Sequence, residues 1–316
     1  MKNFARIFEL VFGLLIFAFD RSREADPNEW GYKTGKSFKD PSQWKTIKGS
    51  SCGGRRQSPI DIQTEATQYW PALSPIKLEN ISSLNNQSTV VKDPLALKLD
   101  LVEKWRISFG NEGCLTPFTI HWHWGSDDSQ GSEHTVNNKK YPLEGHLVSY
   151  DCNIYNSYQN ALSGPSGLHV IGFFYEIGSN DSTIDLVLKS QLLAPRPLKS
   201  VSIPELNLTS FLPKNLEKYF RYEGSLTTPD CVENVIWTVL NEKLSVGKDQ
   251  LRKLRTLKYD FPESGDMVDN YRPVVKLTEN GDYVKRIVYS SFNISPGLKS
   301  NLLLILASGL LVMAKL

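Results

Sequence analysis

Between Thr119 and Val148 the chain reads TIHWHWGSDDSQGSEHTVNNKKYPLEGHLV, and this stretch holds four of its five histidines. His121 and His123 are two residues apart. That spacing splits them between helix faces, but on a β-strand, whose side chains alternate, it points them the same way. Trp122 and Trp124 then face the opposite side, as a strand with a packed core behind it requires. Leu143–Tyr150 is a second extended run with His146 inside it. If the two strands are neighbours, His121, His123 and His146 converge on one point. Three neutral imidazoles with a fourth position left open make a catalytic zinc arrangement. A lone strand histidine is ordinarily just hydrogen-bonded in place, but four in so short a span argue for a metal.

The rest of the chain bounds where such a site can work. With 316 residues there is room for one large domain or two small ones. A formal charge of +2 and scattered Lys and Arg give no push toward nucleic acid. Lys2 and Arg6 precede a mostly apolar run, Leu10 to Phe19, too short to span a bilayer; residues 1–22 therefore read as a secretory signal. Four cysteines in a secreted chain imply two disulfides with three possible pairings. Leu302 to Ala314 is almost wholly apolar. The small residues Ser290, Ser291, Asn293 and Ser295 and the polar Lys299-Ser300-Asn301 precede it. That order, over 291–316, reads as a glycosylphosphatidylinositol (GPI) attachment signal rather than a short membrane-spanning tail, so the mature protein is expected on the extracellular face of the cell membrane. Sequons at Asn80, Asn86, Asn180 and Asn207 fit that compartment; the one at Asn293 is discounted because Pro296 follows it and it lies near the anchor site.

Short alternating runs at Pro75–Leu78, Ser88–Val91, Leu95–Leu101 and Trp105–Phe109, separated by Gly, Asn, Asp and Pro, predict a sheet of short strands. Gly167–Tyr175 is nearly all apolar and predicts a central strand buried on both faces. Val235–Leu244 is another strand candidate, Lys248–Lys258 has helical spacing, Leu192–Pro213 has room only for short helices, and 28–47 reads as an irregular arm.

The histidine stretch resembles the α-class carbonic anhydrases of the extracellular, GPI-anchored type. It carries His121-Trp122-His123-Trp124-Gly125, Ser132-Glu133-His134-Thr135-Val136 and Glu144-Gly145-His146-Leu147-Val148, matched in spacing as well as identity. Ser225-Leu226-Thr227-Thr228-Pro229 matches the family's Ser-Leu-Thr-Thr-Pro loop. The resemblance implies one domain over 28–290, mixed α/β but mainly β, with a central, largely antiparallel twisted sheet flanked by short helices and loops. It implies reversible hydration of carbon dioxide to bicarbonate at Zn2+ held by His121, His123 and His146. Thr227 and Glu133 would orient the zinc-held hydroxide. Glu144, Thr119 and the Asn270 carbonyl would hold the ligand histidines. Val148, Val170, Leu226, Thr228, Val235 and Trp237 would line the substrate pocket. His134 is expected in a buried polar network with Tyr222 as partner, and His169 as a satisfied core residue. Many fast relatives carry a proton-shuttling histidine where this chain has Ser88, so no histidine shuttle is evident. A catalytically weak surface binding module of the same family is the alternative.

The resemblance also pairs Cys52 with Cys231, leaving Cys114 for Cys152. If His121 and His146 are neighbours on antiparallel strands, stepping seven residues back and six forward brings the second pair together. The parity is off by one, which calls for a bulge or a strand end.

Overall fold

The computed structural model describes residues 29–33, 38–80, 88–92, 95–101, 105–110, 112–193, 200–203, 206–259, 265–276, 278–279, 282–283 and 287–294. The signal reading at 1–22, Asn86 and the tail beyond residue 294 lie outside them.

The strands used below are β1 (Ile76–Asn80), β2 (Ser88–Lys92), β3 (Leu97–Asp100), β4 (Trp105–Phe109), β5 (Glu112–Trp124), β6 (Leu143–Asp151), β7 (Leu168–Ile177), β8 (Ser200–Ile203), β9 (Tyr219–Gly224), β10 (Val235–Leu240), β11 (Leu244–Val246) and β12 (Tyr289–Ser290). The main sheet runs β8-β2-β3-β5-β6-β7-β10-β9-β12 and ends on Gln68–Tyr69; β4 and β1 extend from β5, and β11 from β7. Neighbours are antiparallel except β7 with β10 and β11, and β12 with Gln68–Tyr69. The result is a single, mainly β domain with short helices, as the resemblance implied.

The two faces of this sheet are chemically different, and side-chain alternation makes them so. On β5, Ile120, Trp122 and Trp124 are fully buried in the larger core together with Leu143, Leu147, Ile171, Phe173 and Tyr175. The two indoles keep their N–H groups satisfied, Trp122 on the Tyr175 hydroxyl (3.3 Å) and Trp124 on the Met267 carbonyl (2.6 Å). Burial of an indole of this size contributes about 4–6 kcal/mol as an upper estimate from area. On the opposite face Val148, Val170, Phe174, Tyr222, Val235 and Trp237 form a second cluster around the histidines. β6 is buried along nearly its whole length, and β7 from Val170 to Tyr175, so both strands are central.

Val235–Leu244 is two strands rather than one. The first ends at Leu240, where the Asn241 N–H turns to the Lys218 carbonyl, and Leu244–Val246 pairs with β7 instead. The helix at 248 stops at Leu254. A helix at Ser182–Leu193 was not expected from the sequence. The Asp181 carboxylate starts it by accepting from the Thr183 (2.7 Å) and Ile184 (3.1 Å) N–H groups, and Ile184, Val187 and Leu188 bury its apolar face.

Both disulfides are present, Cys52–Cys231 and Cys114–Cys152. His121 lies opposite His146 in the β5/β6 ladder, and the register shifts between Pro117 and Thr119. That irregularity supplies the one-residue correction the second bridge needs, and the Cys152 N–H donates to the Cys114 carbonyl at 2.8 Å.

Candidate metal centre

β5 and β6 bring the three histidines together because His121 and His146 are direct cross-strand partners and His123 follows His121 on the same face. His146 Nδ1 lies 3.3 Å from His121 Nε2 and 3.2 Å from His123 Nε2. Their outer nitrogens decide what these contacts are. His123 Nδ1 donates to the Asn270 carbonyl at 2.7 Å, and His146 Nε2 donates to Glu144 Oε1 at 2.7 Å. With those nitrogens carrying the protons, His123 Nε2 and His146 Nδ1 face each other as lone pairs. Two lone pairs at this distance repel unless a cation lies between them. Three nitrogens at about 2.0–2.1 Å from a tetrahedral zinc would stand about 3.3 Å apart, so the donor set fits that ion. Burial, then the charges of His123, His146 and Lys98, hold the His121 pKa well below its ordinary value of 6.5, which keeps the ring neutral and able to ligate.

Glu144 is the hub behind the histidines. Its Oε1 accepts from His146 and, at 2.7 Å, from His134 Nδ1; its Oε2 accepts from the Glu133 (2.8 Å) and His134 (2.9 Å) N–H groups. Burial alone would raise its pKa, but His134 and His146 outweigh that and hold the carboxyl below the usual carboxylate range. His134 completes the network by reaching the Tyr222 hydroxyl at 2.6 Å, and that hydroxyl donates to Ser58 Oγ at 2.9 Å. Trp237 packs its ring edge-on against His134 and His146, 4.6 and 4.8 Å away, and donates to the Ser225 carbonyl at 2.9 Å. This anchors the 225–229 loop beside the histidines. Gly145 is required by the reverse face, since a Cβ there would lie 2.4 Å from the Phe173 ring.

Glu133 is buried. Its Oε1 accepts from the Arg272 N–H at 2.7 Å, and its Oε2 is without a donor, 3.6 Å from His123 Nε2. Thr227 is buried nearby in the chain's 225–229 loop but makes no hydrogen bond to Glu133 among the described residues. Thr119, expected behind His121, instead has its hydroxyl 3.3 Å from the Leu99 carbonyl and 3.2 Å from Asp100 Oδ1. Val148, Val170, Val235 and Trp237 are buried on the histidine face, with Leu226 packed at their edge. Ser88 is not at the shuttle position expected of it: it is only 4% exposed, and alternation along β2 puts it on the side of Val90, Leu99 and Ile120, facing the larger core and away from the histidines. His169 is not the satisfied core residue expected: its Nδ1 is buried with no partner.

Arg272 was missed. Its guanidinium bonds Gln57 Oε1 (2.9 Å), the Ser58 carbonyl (2.7 Å) and the Cys52 carbonyl (3.1 Å), tying the disulfide-bonded loop to the residue that holds Glu133. The signal lay in the sequence, one buried-looking Arg two positions after Asn270, but nothing local says that its partners are two hundred residues away.

A twisted sheet presents three converging imidazoles, backed by a carboxylate and a carbonyl, in an arrangement that could hold a metal ion. Residues 39–291 match the model of the eukaryotic-type carbonic anhydrases. The chain is 32% identical to human (Homo sapiens) carbonic anhydrase 12 over 249 residues, 77% of this chain and 68% of that protein. It is 31% identical to mouse (Mus musculus) carbonic anhydrase 6 over 228 residues, 71% of each. The chain belongs to the eukaryotic-type carbonic anhydrase family and is an enzyme of that type.

Proposed function

We propose that this chain catalyses zinc-dependent, reversible hydration of carbon dioxide to bicarbonate and a proton at the outer cell surface. The observation that carries the reading is the facing of His123 Nε2 and His146 Nδ1 at 3.2 Å while their other nitrogens are committed elsewhere. His121, His123 and His146 would hold Zn2+. When bound, zinc in such sites supplies Lewis acidity that brings the pKa of a coordinated water to about 7, the known magnitude for carbonic anhydrase.

The chain's own residues do the rest. Glu144 and the Asn270 carbonyl hold the protons of His146 and His123 on the outer nitrogens, which keeps the inner lone pairs pointed inward. Glu133 Oε2 is the buried acceptor awaiting a donor, and the Thr227 hydroxyl is the donor proposed for it. With its proton committed to Glu133, the Thr227 oxygen can only accept from the metal side, which orients the nucleophile. Val148, Val170, Leu226, Thr228, Val235 and Trp237 give an apolar wall where weak dispersion contacts suffice for an uncharged substrate. Carbon dioxide hydration measured with and without a zinc chelator tests the reading. Full activity after zinc is stripped would end it.

Proton export is the unfinished half. All five histidines are placed: three converge, His134 is bonded on both nitrogens, and His169 is on the reverse face. None is free to shuttle. We expect kcat, much more than kcat/KM, to rise with the concentration of a small buffer such as imidazole. A high kcat flat with buffer concentration would show another carrier.

The two disulfides fit an oxidising compartment, and no described helix is long and apolar enough to cross a membrane. Surface display through the 291–316 signal is part of the proposal. Asn80, Asn180 and Asn207 are exposed, as glycosylation requires. Release by a phospholipase that cleaves GPI tests the anchor; membrane retention with Leu302–Ala314 still present by mass spectrometry would replace it with a spanning tail.

A further inference from the structure

The main sheet ends on its shortest strands. Gln68–Tyr69 is outermost and pairs in parallel with Tyr289–Ser290 of β12, which pairs in turn with β9. Backbone bonds tie the two segments on either side of that pairing. The Gln68 N–H donates to the Val288 carbonyl at 2.9 Å and the Trp70 N–H to the Ser290 carbonyl at 3.0 Å. Exposure alternates along 287–290: Val288 and Ser290 are buried, whereas Tyr289 is half-buried and Ile287 exposed, so the last two look outward on one side. Trp70 lays its ring against Tyr289, 4.8 Å between centroids, and is still 45% exposed. Tyr69 beside it is 48% exposed. Tyr69, Trp70 and Ile287 are three of the six large apolar side chains exposed among the described residues, so apolar exposure is concentrated at this edge. Both segments also lack charge: no Asp, Glu, Lys or Arg occurs from Ala66 to Ile76 or from Ile287 to Leu298.

An uncharged aromatic edge is a poor template for another strand here. The outer strand is two residues long, and Pro71, directly after Trp70, has no N–H to give. Position names the occupant instead, and the inference rests on the membrane attachment proposed above. β12 runs straight into the 291–316 signal. The Ser291 N–H donates to the Tyr219 carbonyl at 3.0 Å, its hydroxyl to the Glu217 carbonyl at 2.7 Å, and Phe292 packs on Phe220 with centroids 5.5 Å apart. The chain is therefore tied to the body as far as Phe292. Each small residue of the signal, Ser290, Ser291, Asn293 and Ser295, lies within six positions of Tyr289, about 20 Å of extended chain at most. A lipid attached there holds this edge beside the bilayer with almost no polypeptide spacer. Trp and Tyr, apolar bodies with one polar tip, favour the headgroup level of a membrane. We propose that Trp70 and Tyr289, with Tyr69 and Ile287 beside them, form a face that rests in the headgroup layer of the bilayer and fixes the orientation of the anchored enzyme.

The lipid-anchored protein in phosphatidylcholine vesicles tests this through tryptophan quenching by phosphatidylcholine brominated on its upper acyl carbons, which quenches on contact. Trp70 is the most accessible reporter: Trp44, Trp105, Trp122, Trp124 and Trp237 are buried, and Trp30 is half-buried against Trp44 and Tyr32. The expected result is that brominated lipid removes part of the wild-type emission. Trp70→Phe should lose that quenching while still floating with the vesicles, and phospholipase release should abolish it. Wild-type protein that floats with the vesicles yet emits equally in brominated and plain lipid overturns the proposal and leaves the anchor standing. Quenching undiminished in Trp70→Phe overturns it as well. Protein that does not float and carries no lipid by mass spectrometry removes the anchor and this inference together. Acrylamide access to Trp70 that falls as the released protein is concentrated gives the face to a second copy of the chain and overturns the membrane assignment.

Discussion

His146 and His169 occupy adjacent strands of one sheet, three rungs apart in the β6/β7 ladder and so on opposite faces, and their surroundings are opposite too. His146 has one nitrogen committed to Glu144 at 2.7 Å and the other turned toward two imidazoles. His169 has a buried Nδ1 with nothing to bond and a cationic Arg221 nearby, so burial first and then Arg221 lower its pKa to about 3. The difference teaches that burial alone does not make an imidazole a ligand. What does is a partner on the outer nitrogen that fixes the tautomer, together with other lone pairs sharing the inner point.

The largest effect that could break this contrast is removal of a ligand. His146→Ala or His121→Ala should cut hydration by more than about 100-fold, beyond the 10–100-fold typical of outer-shell partners, with loss of zinc by metal analysis. His169→Ala should leave zinc content unchanged. Near-full activity in the ligand variants would sink the zinc assignment.

Glu144→Gln comes next. An amide can serve only part of a hub that accepts four N–H donors, and its NH2 would face a donor. Zinc affinity by chelator competition should fall about 10–100-fold. An unchanged affinity would show that the His146 tautomer is set by something else.

The two disulfides offer a smaller, graded contrast. Their sequence separations are 179 and 38 residues. Chain entropy then assigns about 5 kcal/mol to Cys52–Cys231 and about 4 kcal/mol to Cys114–Cys152. Cys52–Cys231 also borders the Thr227 loop, since the Cys231 N–H donates to the Thr228 carbonyl at 2.8 Å. Denaturant titration should rank the two serine-pair variants in that order, and only the first should also lose kcat/KM.

The smallest effect is in acid. The unfolded His169 takes up a proton below about 6.5, whereas the folded one resists until about 3. Unfolding therefore binds protons in that window, and stability contributed by the neutral ring is lost as pH falls through it. His169→Gln should flatten the stability curve between pH 6.5 and 3 relative to the wild type. The Glu144 carboxyl, whose folded pKa lies below its unfolded value, gives stability that is present above about 4.5 and lost at lower pH. A slope unchanged in His169→Gln would assign the whole acid response to carboxylates such as Glu144.

Much of the metal face was legible before any coordinates. The i, i+2 spacing of His121 and His123 needs only strand alternation to put both on one face, and Trp122 and Trp124 on the other. The missing parity between Cys114 and Cys152 even announced the irregularity at Pro117. What stayed hidden was carried by contacts between distant segments. Nothing local tells Thr119 to bond Leu99 and Asp100 rather than His121, or Arg272 to bridge Cys52 and Glu133. The helix at Ser182–Leu193 had its Asp181 cap and its 184/187/188 spacing in plain view, but only packing against the sheet makes so short a segment stable.

By itself, then, the sequence determined the histidine triad, the two-faced strands that present it and the number of disulfides, because each follows from periodicity or from chemistry within a few dozen residues. Only the tertiary structure decided which oxygen holds each imidazole proton, that Glu133 keeps one unpartnered acceptor, and that Trp70 and Tyr289 share one sheet edge. Those outcomes depend on which strand lies beside which and in what register. Loop closure between segments far apart in the chain sets that order, and side-chain spacing carries no record of it.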